Sequence, residues 1–203
     1  MAYLTEASKS ALIAAVEGIE SRSSAEVVIA VRAHSGMLAT DLSAGAIAGV
    51  LTLAFLLFSA IPFSLPAILF DTFAFAGLGA LLCSRFPNVR WALTPRGRAL
   101  HDVRMAARAE FFDAGISATR GRTGILVYVS QTERVAEVLA DLGVRDAIDA
   151  EVWSAWVQSV EHEVRSQRDG LALAAAIARL AEPLAACLPR SHDDVNELAD
   201  HVR

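Results

Sequence analysis

The chain has 203 residues and a mass of 21.6 kDa; 54% of it is apolar, 20% is charged, and its mean hydropathy is +0.42. Those values exclude a disordered polar tail and an ordinary all-aqueous domain, and they require that part of the chain lie in lipid. The net charge of −5 and a pI near 5.5 exclude a general nucleic-acid binder, because neutralising phosphates needs a basic surface.

In chain order, Thr5 to Glu20 has helical spacing: Thr5 can cap it, Leu12, Ile13, Val16 and Ile19 form one stripe, and Glu6, Lys9, Glu17 and Glu20 lie on the other face. Ser23-Ser24 ends that period. Glu26 to Arg32 (EVVIAVR) is a β-branched run bounded by His34-Ser35-Gly36, which predicts a largely buried strand.

From Leu42 to Ser84 the ionisable side chains are Asp71 and the thiol of Cys83, and the stretch holds two helices of about 20 residues. The first predicted span is Ser43 to Ile61, where Ala44, Gly45, Ala48 and Gly49 permit close helix approach; the second is Phe63 to Ser84, with Gly77 and Gly79. Pro62 and Pro66 flank a short turn, so the prediction is a tight transmembrane hairpin. The apolar run starts after an amphipathic segment, unlike a cleavable signal sequence. Asp71 has two readings: a side chain reaching the far headgroups at the end of its span, or an intramembrane polar site, protonatable or shared between copies.

On the C-terminal flank Arg85, Arg90, Arg96, Arg98, Arg104 and Arg108 accumulate against Asp102, while the turn has no Lys or Arg. The positive-inside rule then places both termini in the cytoplasm. Trp91 beside Arg90 reads as an interfacial anchor or as packing against the domain.

Leu100 to Ile116 returns to helical spacing through Val103, Met105, Phe111 and Phe112. Thr119 to Gly124 is a polar loop in which Arg120, Gly121, Arg122 and Gly124 offer two readings: an anion cradle of backbone N–H groups and guanidinium, or a basic turn near an anionic bilayer. It lacks the Lys-Ser/Thr of a phosphate loop. Ile125 to Ser130 is a second predicted strand, Gln131-Thr132 a turn, and Arg134 to Ala140 a third strand, antiparallel to the second. Asp141, Asp146 and Asp149 follow, with Glu26 a possible fourth member across the sheet. They offer oxygen ligands for Ca²⁺ or Mg²⁺, or else cap helices and face solvent. No serine elbow or histidine spacing names a nucleophile; His101-Asp102 and His162 read as helix-face residues.

Two helices, Ala150 to Gln167 and Leu171 to Leu188, close the domain, the last through Leu173, Ile177, Leu180 and Leu184. Cys83 and Cys187 read as buried or lipid-facing thiols. The predicted fold is α/β: a small sheet covered by helices and interrupted by the hairpin, with domain parts at 1–41 and 86–188, the hairpin at 42–85 and an acidic tail at 189–203. That tail either docks or is disordered.

The order of these elements, with SAEVVIAV, GRTGILVYVS and RVAEVLADLGV leading to Trp153, resembles the TPM domain family over about residues 1–38 and 100–188. It is most similar to the bacterial membrane branch, in which a two-helix hairpin interrupts the domain and the chain ends in a DDVNEL-type tail, here Asp193 to Leu198. The resemblance implies an α/β sandwich-like fold and a role at the membrane, here the bacterial inner membrane. Divalent-metal binding and acid phosphatase activity are attributed to some members, although no catalytic set maps onto this chain. Two functions compete. One is a binding or scaffold module for membrane-protein partners or for itself; the other is a metal-dependent phosphatase with Asp141, Asp146 and Glu26 on the ion and Arg122 on the phosphate. A channel of two helices per chain is the weakest reading.

Overall fold

The computed structural model describes residues 5–36, 38–166 and 169–190. Its elements are α1 (Glu6–Glu20), β1 (Glu26–Arg32), α2 (Leu38–Phe58), α3 (Leu65–Arg85), α4 (Pro87–Leu93), α5 (Arg96–Asp113), a 3-10 turn (Ile116–Ala118), β2 (Gly124–Ser130), β3 (Val135–Ala140), α6 (Leu142–Ala147), α7 (Ala150–Ser166), α8 (Gly170–Ala178) and α9 (Ala181–Cys187). The chain divides into two units, His34–Ala99 and the segments on either side of it. The tail beyond Arg190 lies outside the described residues.

The flanking segments build a three-stranded mixed sheet in the order β1-β2-β3. β1 and β2 are parallel, from Glu26 opposite Gly124 to Arg32 opposite Ser130, and β2 and β3 are antiparallel, from Ile125 opposite Ala140 to Ser130 opposite Val135. A parallel pair needs a long crossover, and the His34–Ala99 unit is an insertion into it. Helices cover both faces, which is why β1 and β2 read as unbroken apolar runs. On one face Val27, Ile29, Ile125 and Val127 pack with Leu12, Val16 and Ile19 of α1, with Val160 of α7 and with Leu173 and Ile177 of α8. On the other, Val28, Ala30, Leu126 and Tyr128 meet Val103, Ala107 and Phe111 of α5.

The first helix starts where Thr5 predicts: Ser8 N–H donates to Thr5 Oγ1 (3.2 Å) and Thr5 N–H to Ser8 Oγ (2.7 Å), a reciprocal cap. Glu20, expected on the polar face, is buried, and its Oε1 accepts the Val27 N–H at 2.9 Å, tying the helix end to β1. The predicted helix over 171–188 is two pieces. Pro183 has no N–H to donate and its ring crowds the carbonyl of residue 179, so regular helix stops at Ala178 and resumes at Ala181. The loop expected over 141–149 contains α6, whose Val144 is fully buried.

In the His34–Ala99 unit α2 and α3 run antiparallel, joined by residues 59–64. Small residues set their separation. A Cβ on Gly45 would stand 2.7 Å from the Ala76 carbonyl oxygen, and one on Gly79 would stand 2.6 Å from Ala48 Cβ. Gly45, Ala48 and Gly49 therefore pack into Ala76, Gly79 and Ala80 at near backbone contact, as small residues do between helices in lipid.

Candidate functional site

Four of the residues expected to carry chemistry, Glu26, Arg122, Gly124 and Asp141, gather at one end of the sheet. Glu26 opposes Gly124, and Asp141 N–H donates to the Gly124 carbonyl (2.9 Å), so Glu26, Gly124 and Asp141 form one row across three strands. Both carboxylates are buried. The place between them is filled: a Cβ on Gly124 would lie 2.3 Å from the Ile116 carbonyl oxygen, so the 3-10 turn sits directly over that glycine. Gly124 is there for this close approach.

Arg122, which the sequence offers as an anion contact or a basic turn, and Asp141, which it offers as a cation ligand or a cap, face each other. Arg122 Nε lies 3.2 Å from Asp141 Oδ2 and Nη2 lies 3.0 Å from Oδ1, a two-point pair. Asp141 Oδ1 also accepts the Leu142 N–H (2.8 Å) and caps α6. Arg122 holds φ at 52°, in the left-handed region that costs a non-glycine residue about 1 kcal/mol or more. That backbone is held from two sides: the Arg122 carbonyl accepts the Gly143 N–H (2.9 Å), and a Cβ on Gly143 would stand 2.3 Å from the Gly121 carbonyl oxygen. The loop over 119–124 is thus clamped onto the start of α6, and Asp141 occupies the Nε–Nη2 edge of Arg122.

The other acids are placed separately. Asp149 Oδ1 accepts the N–H groups of Glu151 (2.8 Å) and Val152 (3.1 Å), capping α7, while Asp146 is exposed on α6. Among the described residues no three His, Cys, Asp or Glu side chains converge as ligands for a metal ion. Arg120 and Gly121 are exposed at the loop's outer side. Asp71 is half-buried near the tip end of α3.

One polar cluster escaped the sequence reading. Arg90, read from the sequence as one of several flanking cations, is buried, with its side chain 8% exposed. It binds Asp41, 17% exposed, through Nη2 to Oδ2 at 2.6 Å and Nε to Oδ1 at 3.2 Å. Thr40 and Thr94 hydroxyls meet at 3.2 Å beside it, and Thr94 Oγ1 donates to the Arg90 carbonyl (2.7 Å). This knot ties α4 to the first turn of α2. Its available signal was Asp41, an acid just before the apolar run and opposite in sign to the arginines that follow that run. Trp91 is largely exposed beside it, Cys83 is buried and Cys187 is half-buried; both cysteines are free thiols.

No protein-family model matches the chain, and no curated protein matches it. Among solved structures it is similar to the NMR structure of BA42 protein from the psychrophilic bacterium Bizionia argentinensis, with a TM-score of 0.59 and 16% identity over 98% of this chain and 93% of that chain. At that identity the likeness carries the fold alone.

Proposed function

We propose that the chain is an integral membrane protein of the TPM type, in which α2 and α3 anchor a small α/β domain that binds membrane-protein partners or a second copy of itself. The carrying observation is the outward surface of those two helices. Each is 21 residues long, enough to cross about 30 Å of hydrocarbon. Leu51, Phe55 and Phe58 on α2, with Phe70, Phe73 and Leu81 on α3, point away from the helix pair and are exposed. Isolated surface apolar residues are ordinary, but an apolar belt around two helices is stable only against lipid or protein.

The order of elements supports the TPM reading, since the insertion falls in the β1–β2 crossover as that resemblance implies. Arg85, Arg96 and Arg98 beside the return end of α3, against a tip over 59–64 with no cation, support cytoplasmic termini even after Asp41 has neutralised Arg90. The metal-dependent phosphatase draws no support from the site, because Asp141 and Arg122 are each other's partner.

The test is extraction of membranes from expressing cells. The full-length chain is expected to stay in the pellet through an alkaline carbonate wash and to leave it only with detergent; release by carbonate alone would end this reading. Phosphatase turnover of the purified protein, with and without Mg²⁺, is expected at background and unchanged in Asp141→Asn.

A further inference from the structure

Among the described residues, α5 has an outer face that no other element covers. Its inner face carries Val103, Ala107 and Phe111 into the sheet. On the opposite side, at spacings of four, three and four residues, stand His101, Met105, Arg108 and Phe112, which share one stripe of a helix. Met105 is 52% exposed and Phe112 68%. Phe112 stands edge-on to Phe111, ring centroids 5.9 Å apart, so the packed ring holds the outer one outward. Arg104 flanks the stripe, reaching Glu137 at 3.5 Å, while Arg108 forms no ion pair among the described residues. Arg104 and Arg108 stand beside these two apolar side chains, with the carboxylates of Asp102 and Asp113 on the other flank. Large exposed apolar groups next to guanidinium groups are less suited to water than to the boundary between headgroups and acyl chains. There the apolar groups enter the hydrocarbon edge and the guanidinium groups meet lipid phosphates.

We infer that the His101–Met105–Arg108–Phe112 face of α5 is a docking surface for an anionic lipid bilayer. This inference rests on the membrane reading above, which brings the bilayer within reach: α5 follows the second apolar helix with only α4 between them. Charge selects the occupant. A neutral lipid surface would use the two apolar side chains but not the cations, whereas an anionic leaflet uses both. The α/β domain would then lie on the membrane instead of being tethered near it, which fixes the side it offers to partners.

The experiment uses the full-length chain with Cys83→Ala and Cys187→Ala, and a nitroxide label at Phe112→Cys or, separately, Met105→Cys. It is reconstituted into phosphatidylcholine vesicles with or without about a third of phosphatidylglycerol. Labels at Leu51→Cys, on the lipid-facing side of α2, and at His162→Cys, exposed on α7, serve as references. In anionic vesicles, collision with a water-soluble nickel chelate is expected to fall about fivefold at 105 and 112 relative to 162. That protection should weaken in neutral vesicles, in high salt and in Arg108→Gln, which preserves the helix. If 105 and 112 are as accessible as 162 while 51 is shielded, the docking surface is overturned and the anchor stands. If 51 is also open to the chelate, the anchor fails and the docking surface with it. Protection that is equal in neutral and anionic vesicles would overturn the charge selection.

Discussion

Three apolar stretches of this chain look alike by composition, yet one of them packs in the opposite way to the other two. Ala39–Phe58 and Leu65–Arg85 have mean hydropathies of 1.9 and 1.8, and Gly170–Cys187 has 1.5; all three are long and apolar enough to cross a membrane. Yet 44% of the last is buried inside the protein, against 17% and none of the first two. Gly170–Cys187 is apolar because it is core: Leu173, Ile177, Leu180 and Leu184 are fully buried among α1, α7 and the sheet, and Pro183 breaks the run into two short helices. α2 and α3 meet along a seam of small residues, bury Leu56 and Cys83 besides, and leave most of their large apolar side chains outside. The difference lies in where the bulk sits. A core helix turns its leucines inward, whereas a membrane helix turns its glycines and alanines toward its neighbour and its phenylalanines outward.

The largest break in this comparison comes from a charge on each kind of helix. Ile177→Asp would place an unpaired carboxylate in the core and is expected to cost about 4 kcal/mol, collapsing the thermal transition read from the Trp156 indole, which donates to the Ala176 carbonyl. Leu51→Asp should leave that transition in place in detergent, while lowering membrane insertion by about 3 kcal/mol, measured as the fraction that survives a carbonate wash.

Next is the knot at the base of the hairpin. Arg90→Gln leaves Asp41 without its cation in a buried setting and is expected to destabilise the His34–Ala99 unit by about 3 kcal/mol, seen as faster amide exchange in α4 and the first turn of α2. The double variant with Asp41→Asn should be less damaged than Arg90→Gln alone, since no lone charge remains. Gly79→Leu, whose Cβ alone would meet Ala48 at 2.6 Å, should force α2 and α3 apart for about 2 kcal/mol, speeding exchange in both helices while α7 is unaffected.

The smallest effects belong to the acids at the sheet end. Asp141→Ala removes the α6 cap and the Arg122 partner and should cost about 1 to 2 kcal/mol. Exposed Asp146→Asn should change stability by less than about 0.5 kcal/mol. Ca²⁺ or Mg²⁺ should leave the melting temperature of the parent chain unmoved; a rise that disappears in Asp141→Asn would restore an ion site there.

What could be read in the sequence was what periodicity and local chemistry encode. Thr5 marks the start of α1, the β-branched runs mark β1 and β2, and the two long apolar stretches on either side of Pro62, the second carrying Asp71, mark α2 and α3. Span limits shifted by a few residues, because Asp41 is held in helix by Arg90 and Pro66 favours the first turn of α3. The acids of 141–149 keep two readings in the sequence, ligands or caps, because both use the same residue types; the structure shows Asp141 accepting the Leu142 N–H and Asp149 accepting those of Glu151 and Val152. Pairings between distant residues, Arg90 with Asp41 and Glu20 with Val27, leave no periodic trace. The arginine was therefore read as a flanking charge and the glutamate as a surface one.

The claim on which the rest depends is that α2 and α3 cross a bilayer and return. It is tested most directly by an impermeant thiol reagent on cysteine-free variants carrying Ser59→Cys, between the two helices, or Trp91→Cys, on α4. In intact cells the first should be labelled and the second protected until the membrane is opened, with the order reversed in inside-out vesicles. Labelling of both positions without permeabilisation, from a chain recovered in the aqueous fraction, would contradict it.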